Sequence, residues 1–178
     1  MKTLVKNGTI ITSTNEFKAD ILIENEKISM IGNDLSVGCD KVIDAEGKYV
    51  LPGGVDNHSH FEALNTDGVT TNAGYDTTWV ALKGGTTTIV DFCTNEPGMN
   101  LMDSVDYRLN VRSKGKLAPD MAMHACCTDY TEETLDEIPK LVEFGIPTMK
   151  LFLAYKPTPL YMDDYKLLKC LKKAGECG

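Results

Sequence analysis

From Pro52-Gly53-Gly54 onward, short apolar runs alternate with amphipathic stretches closed by glycine, and this alternation restricts the fold more than any other feature. Val55 to His60 reads as a strand, Asp76 to Lys83 as a helix with Asp76 as N-cap and Gly84 beyond its end, and Thr86 to Cys93 as a second strand. The cycle repeats. Asp103 to Lys114 is predicted helical and ended by Gly115, Met121 to Thr128 extended, and Thr131 to Phe144 helical, closed by Gly145 and kinked at Pro139. Thr148 to Tyr155 makes a fourth strand, and Asp163 to Ala174 a helix with Leu167, Leu168 and Leu171 opposite Lys166, Lys169, Lys172 and Lys173. Strands joined by helical crossovers require a parallel sheet in an α/β fold, either doubly wound or a barrel, and the pattern alone does not separate the two. In the barrel case four βα units are half of an eight-stranded ring, which leaves two strand edges and one face of the core open.

Residues 1–52 have another rhythm. Short β-branched runs are separated by Asn7-Gly8 and Asn25-Glu26, both read as hairpin turns, which predicts a small antiparallel β unit. So short a segment holds few core positions and is expected to complete its sheet with strands from elsewhere. The expected division is therefore 1–52 for the β unit and 53–178 for the βα series.

The net charge of -8 carries no cluster of Lys and Arg to offset it, which argues against a nucleic-acid partner. Every apolar run is far shorter than the ~20 residues of a membrane-spanning helix, and Lys6, Asn7 and Gly8 break the apolar start that a signal peptide needs. A cytoplasmic protein without membrane contact is expected. The six cysteines include no CxxC pair, so neither a disulfide framework nor a zinc ribbon is indicated. Cys93 and Cys126 could serve as soft metal ligands near a barrel mouth, but the preferred reading is that they act as small apolar side chains.

Asp56, His58 and His60 are spaced two apart at the end of the first predicted barrel strand, which points all three to one face. Two imidazoles so placed can reach one divalent ion such as zinc, with Asp56 one layer deeper as a supporting or direct carboxylate. Lys150 interrupts the apolar run Thr148 to Ala154, where an ammonium is costly to desolvate unless paired. Three readings meet that cost: a neutral amine forming a Schiff base, a carbamate formed with carbon dioxide that bridges two cations, or a salt bridge inside the barrel.

Three ordered motifs now stand together: Leu51-Pro52-Gly53-Gly54-Val55-Asp56-Asn57-His58-Ser59-His60, Gly84-Gly85-Thr86-Thr87-Thr88-Ile89-Val90-Asp91-Phe92, and Lys150-Leu151-Phe152-Leu153-Ala154-Tyr155-Lys156. In order and spacing they resemble the hydantoinase and dihydropyrimidinase family of cyclic amidohydrolases, and the resemblance runs the length of the chain. It implies a TIM-type (β/α) barrel, of which the first four βα units are present, preceded by part of a small β-sandwich domain. It implies that His58 and His60 bind the more buried of two Zn2+ ions and that Lys150, carboxylated by CO2 or bicarbonate, bridges the pair. The chemistry implied is hydrolytic opening of the amide bond of a hydantoin or dihydropyrimidine by hydroxide, with the metals acidifying water and polarising the carbonyl. Tyr155 matches the family tyrosine that hydrogen-bonds the oxyanion. The loop Phe61 to Asn72 matches a substrate-gating loop in which Leu64 contacts the ring substituent, though a polar surface loop fits it equally. His124 matches no family ligand and is read as a satisfied barrel histidine.

The family takes two further histidines from its fifth and sixth strands and an aspartate from its eighth, and none of these positions lies within the 178 residues. The expectation is an incomplete fragment that does not turn over substrate alone; the family implies a homo-tetramer for the complete enzyme. Three alternative functions are compatible with parts of the sequence. A non-catalytic scaffold like the collapsin response mediator proteins is disfavoured by His58, His60 and Lys150 together. A dihydroorotase or allantoinase shares the HxH and lysine chemistry. A Schiff-base aldolase leaves the two histidines without purpose.

Overall fold

β1 (Lys2–Ile11) is the spine of the first of two units, Met1–Gly53 and Gly54–Gly178, in a computed structural model that describes residues 1–35, 38–63, 74–158 and 160–178. β2 (Glu16–Glu24) pairs antiparallel with β1, and β3 (Lys27–Gly32) antiparallel with β2. β4 (Lys41–Asp44) and β5 (Tyr49–Val50) run parallel to β1, so the unit is a mixed sheet and not the purely antiparallel one expected. The Asn25-Glu26 turn is as predicted: φ values of 51° and 67° give the left-handed pair whose twist suits a two-residue hairpin.

Asn7-Gly8 is not a turn. β1 passes straight through it with a register shift between Val5 and Gly8, the mark of a bulge, and Asn7 takes a φ of 62°. The Asn7 amide donates to Asp20 Oδ1 at 3.0 Å, and a Cβ on Gly8 would stand 2.5 Å from Val50 Cγ2, so the pair serves close packing. The chain reverses instead at Thr12 to Asn15, where Thr12 Oγ1 accepts from the Asn15 amide at 2.9 Å.

The second unit carries β6 (Gly54–Asp56), β7 (Thr86–Thr94), β8 (Asp120–Cys126) and β9 (Met149–Lys150), all parallel, in the order β6-β7-β8-β9. Sequential order without reversal is the arrangement of a curled half-barrel, since a doubly wound sheet reverses at a switch point. The crossovers hold α1 (Trp79–Lys83), α2 (Leu101–Tyr107) and α3 (Glu132–Phe144), with α4 (Asp164–Cys177) after β9. None of the described helices is long and apolar enough to cross a membrane.

Several expected boundaries move. β6 ends at Asp56, so His58 and His60 lie in the connection after the strand, and β9 covers only two residues of the predicted Thr148 to Tyr155. Asp76 does not cap α1 but sits in a 3-10 turn, Tyr75–Thr77. α2 begins two residues before Asp103, because Asn100 Oδ1 accepts the Asp103 amide at 2.7 Å; it continues as a π-helical turn, Arg108–Arg112. α3 runs unbroken through Pro139 and ends at Gly145, whose φ of 104° suits the glycine. Asp163 caps α4 by accepting from the Lys166 amide at 2.9 Å. The inner stripe of α4 is Leu167, Cys170, Ala174 and Cys177, whereas Leu168 and Leu171 are exposed, so the predicted face is rotated.

Alternation along β7 and β8 sorts the side chains. Cys93, Met123 and Ala125 enter the core shared with Leu101, Ile138 and Leu141 on the helices, which leaves Phe92 and His124 on the opposite, barrel-side face. Cys93 is thus a core residue and not a ligand at the barrel mouth, and none of the six cysteines is in a disulfide.

Candidate functional site

The Phe92 ring, near the C-terminal end of β7, is the hub on which the predicted site residues converge. The His58 ring lies 4.8 Å from it edge-on, the His60 ring stacks on it at 4.8 Å, and the two imidazoles meet edge to face at 5.0 Å. Lys150 Nζ sits 4.3 Å over the same ring and 4.8 Å over Phe152. Strand register explains the gathering: Phe92 pairs with His124 across β7 and β8, and Cys126 pairs with Lys150 across β8 and β9. His58, His60 and Lys150 therefore meet at the C-terminal ends of parallel strands, where βα loops build sites in barrels.

The loop after β6 is held by backbone bonds. Ser59 donates its amide and its hydroxyl to the Val90 carbonyl, each at 3.0 Å. Asp56 Oδ1 accepts the His58 amide at 3.2 Å, so Asp56 acts on the loop backbone and is exposed, unlike the deeper carboxylate expected. Asp91, next to Phe92 but on the helix side, is only 1% exposed and accepts from the Phe61 amide, the Phe92 amide and the Tyr75 phenol. Arg108 donates to the Phe61 carbonyl at 3.0 Å, and Arg112 pairs with Glu62 at 2.6 Å. The residues on either side of 64–73 are thus tied to the second unit's own strand and helix. Leu64 lies outside the described residues.

Burial, the Lys150 ammonium and the neighbouring His58 lower the proton affinity of His60, against a smaller opposing pull from Asp91. A neutral imidazole keeps a lone pair for a metal. Among the described residues Lys150 makes no ion pair, and the ammonium instead makes cation–π contacts with two aromatic faces, each contributing about 0.5–1 kcal/mol in partly exposed settings. Tyr155 holds a φ of 70°, a left-handed conformation that a bulky residue adopts at a cost of about 1–3 kcal/mol. Its ring meets Phe152 at 5.6 Å, which connects it to Lys150 through one intervening ring.

Sequence reading missed Phe92 and Asp91, while its reading of His124 as a satisfied barrel histidine agrees with the bonds made by both ring nitrogens. Asp91 carried a signal, a carboxylate inside an otherwise apolar strand; Phe92 carried none, because a core phenylalanine looks the same. Among the described residues no three His, Cys, Asp or Glu side chains group to hold a metal. Two contacting imidazoles beside one lysine do fit part of a zinc site, provided that the lysine becomes an oxygen donor by carboxylation.

The sequence model of the amidohydrolase family matches residues 41–141. D-hydantoinase of Geobacillus stearothermophilus is 40% identical over 179 residues, covering 100% of this chain and 38% of the relative. A crystal structure of D-hydantoinase superposes with a TM-score of 0.91 at 39% identity, and dihydropyrimidinase from Brevibacillus agri NCHU1002 with 0.92 at 38%. In both, the match covers 100% of this chain and 38% of the solved one, so the chain spans well under half the length of these relatives.

Proposed function

This chain belongs to the amidohydrolase family, matching the N-terminal portion of its hydantoinase and dihydropyrimidinase branch, and we propose that it supplies the first half of a zinc-dependent site that opens cyclic amides. The observation that carries the proposal is the convergence of His58, His60 and Lys150 on the Phe92 ring at the strand ends. His58 and His60 would hold one Zn2+, and Lys150, once carboxylated, would hold both ions of a pair. Bound zinc would supply an acidified water and a polarised carbonyl.

The chain's own residues have separate parts in this reading. His60 stays neutral because its surroundings disfavour the cation, so no proton must leave before it can act as a ligand. The Lys150 ammonium would first lose a proton to solvent, and the free amine would then attack carbon dioxide to form the carbamate N–C bond and release a second proton; the Phe92 and Phe152 faces flank that nitrogen. Tyr155, fixed by its unusual backbone and the Phe152 contact, would donate its hydroxyl to the oxygen on which charge develops. The substrate class would be a hydantoin or dihydropyrimidine, and the assembled enzyme a homo-tetramer. The remaining ligands would come from outside these 178 residues.

The test combines 13C-bicarbonate NMR with ring-opening assays on dihydrouracil and hydantoin. A carbamate resonance in the zinc-loaded chain that vanishes in Lys150→Ala, without turnover, is the expected result. Absence of the resonance contradicts the bridging lysine, and turnover by the 178-residue chain contradicts the need for further ligands.

A further inference from the structure

We propose that His124 is a positioning residue that braces the loop bearing His58 against the strand bearing Lys150, and so sets the spacing of the two halves of the donor set; this rests on the zinc reading above. His124 projects from the barrel-side face of β8, partly buried, with its ring 5.2 Å from Phe92. Its Nε2 lies 3.1 Å from the Asn57 carbonyl oxygen, and its Nδ1 is hydrogen-bonded to Thr148 Oγ1. Asn57 immediately precedes His58, and Thr148 stands two residues before Lys150. In the strand order, β8 neighbours β9 but is separated from β6 by β7, so the bond to Asn57 reaches across the Phe92 row to the far loop.

The two partners select between the tautomers of the neutral ring. A carbonyl oxygen can only accept, so Nε2 must carry a proton; Nδ1 of the neutral ring is then an acceptor, and the Thr148 hydroxyl can donate to it. One tautomer satisfies both bonds. With both nitrogens engaged, His124 has no lone pair to offer a metal, which separates it from His58 and His60. Three rings and one ammonium thus share Phe92 as a floor, while His124 alone among them is bonded to the backbone of one donor segment and a side chain of the other.

The test uses the full chain and three variants, His124→Gln, Thr148→Val and the double substitution. Zinc affinity is read by competition with a chromophoric chelator, ligand geometry by the visible spectrum of the Co2+ form, and the tautomer by 15N imidazole NMR of the metal-free protein. Each single variant is expected to weaken zinc binding about 10–100-fold and to shift the Co2+ bands with the far-UV spectrum unchanged. The double variant should be no weaker than the worse single one, because both cut the same brace. In the wild-type spectrum His124 should be a single Nε2–H tautomer whose Nδ1 signal moves in Thr148→Val. If the wild-type chain takes up no zinc, the metal reading fails and this inference fails with it. If it takes up zinc and the variants bind equally well, or the ring populates both tautomers, the inference alone is overturned.

Discussion

Tyr75 donates its phenolic hydrogen to the carboxylate of Asp91, and both side chains are within 1% of complete burial. The same carboxylate accepts the Phe92 amide at 2.7 Å and the Phe61 amide at 3.4 Å. It therefore ties the peptide that follows His60 to the peptide that precedes the Phe92 ring. Tyr75→Phe leaves a buried acceptor short of one donor and should cost about 1.5–3 kcal/mol of folding free energy, read from urea denaturation. A cost near zero would mean that water or another donor replaces the phenol.

His60 makes stability depend on pH. In the unfolded chain a histidine titrates near ~6.5, while the folded ring, buried and facing Lys150 and His58, takes up its proton at lower pH. As pH falls through ~6.5 the unfolded state binds the proton first, so this contribution to stability is fully present above that value and is lost as pH falls toward the folded pKa. The metal-free chain should lose more stability between pH 7.5 and 5.5 than His60→Asn does. Equal losses would contradict the shift.

Tyr155 separates backbone strain from chemistry. Tyr155→Gly relieves the 70° φ and should stabilise the fold by about 1 kcal/mol, whereas Tyr155→Phe keeps ring and backbone and should leave stability unchanged. In an enzyme that turns over, both should lower kcat about 10²–10³-fold if the hydroxyl serves the oxyanion. Full kcat in Tyr155→Phe would remove Tyr155 from the mechanism.

Burial pushes the Cys93 thiol up to about 11 and raises that of Cys126 as well, so little thiolate exists at either position near neutrality. Iodoacetamide at pH 8 should label the partly exposed Cys39 and Cys177 well before Cys93 and Cys126, which should react only on unfolding. Peptide mass mapping against time measures the order.

The βα alternation was legible because each strand ends in turn residues and each helix in a glycine, and the motifs at His58, His60 and Lys150 stood out against their apolar surroundings. Boundaries were less so. Asn7-Gly8 has the composition of a hairpin, but its left-handed backbone and missing Cβ equally suit a bulge, and the close approach of Val50 decides the matter through a long-range contact. The α4 face was misread because Cys170 and Ala174, small side chains that allow close approach to the core, outcompete the larger Leu168 and Leu171. Phe92 and the His124 brace depend on register between strands distant in sequence, which no local pattern carries.

The most direct test of the account is elemental analysis of zinc bound to the chain purified with zinc and bicarbonate, compared with His58→Ala/His60→Ala at matched folding. Near-stoichiometric zinc in the wild type that is lost in the double variant is the predicted result; no zinc in the wild type, or equal zinc in both proteins, would contradict it.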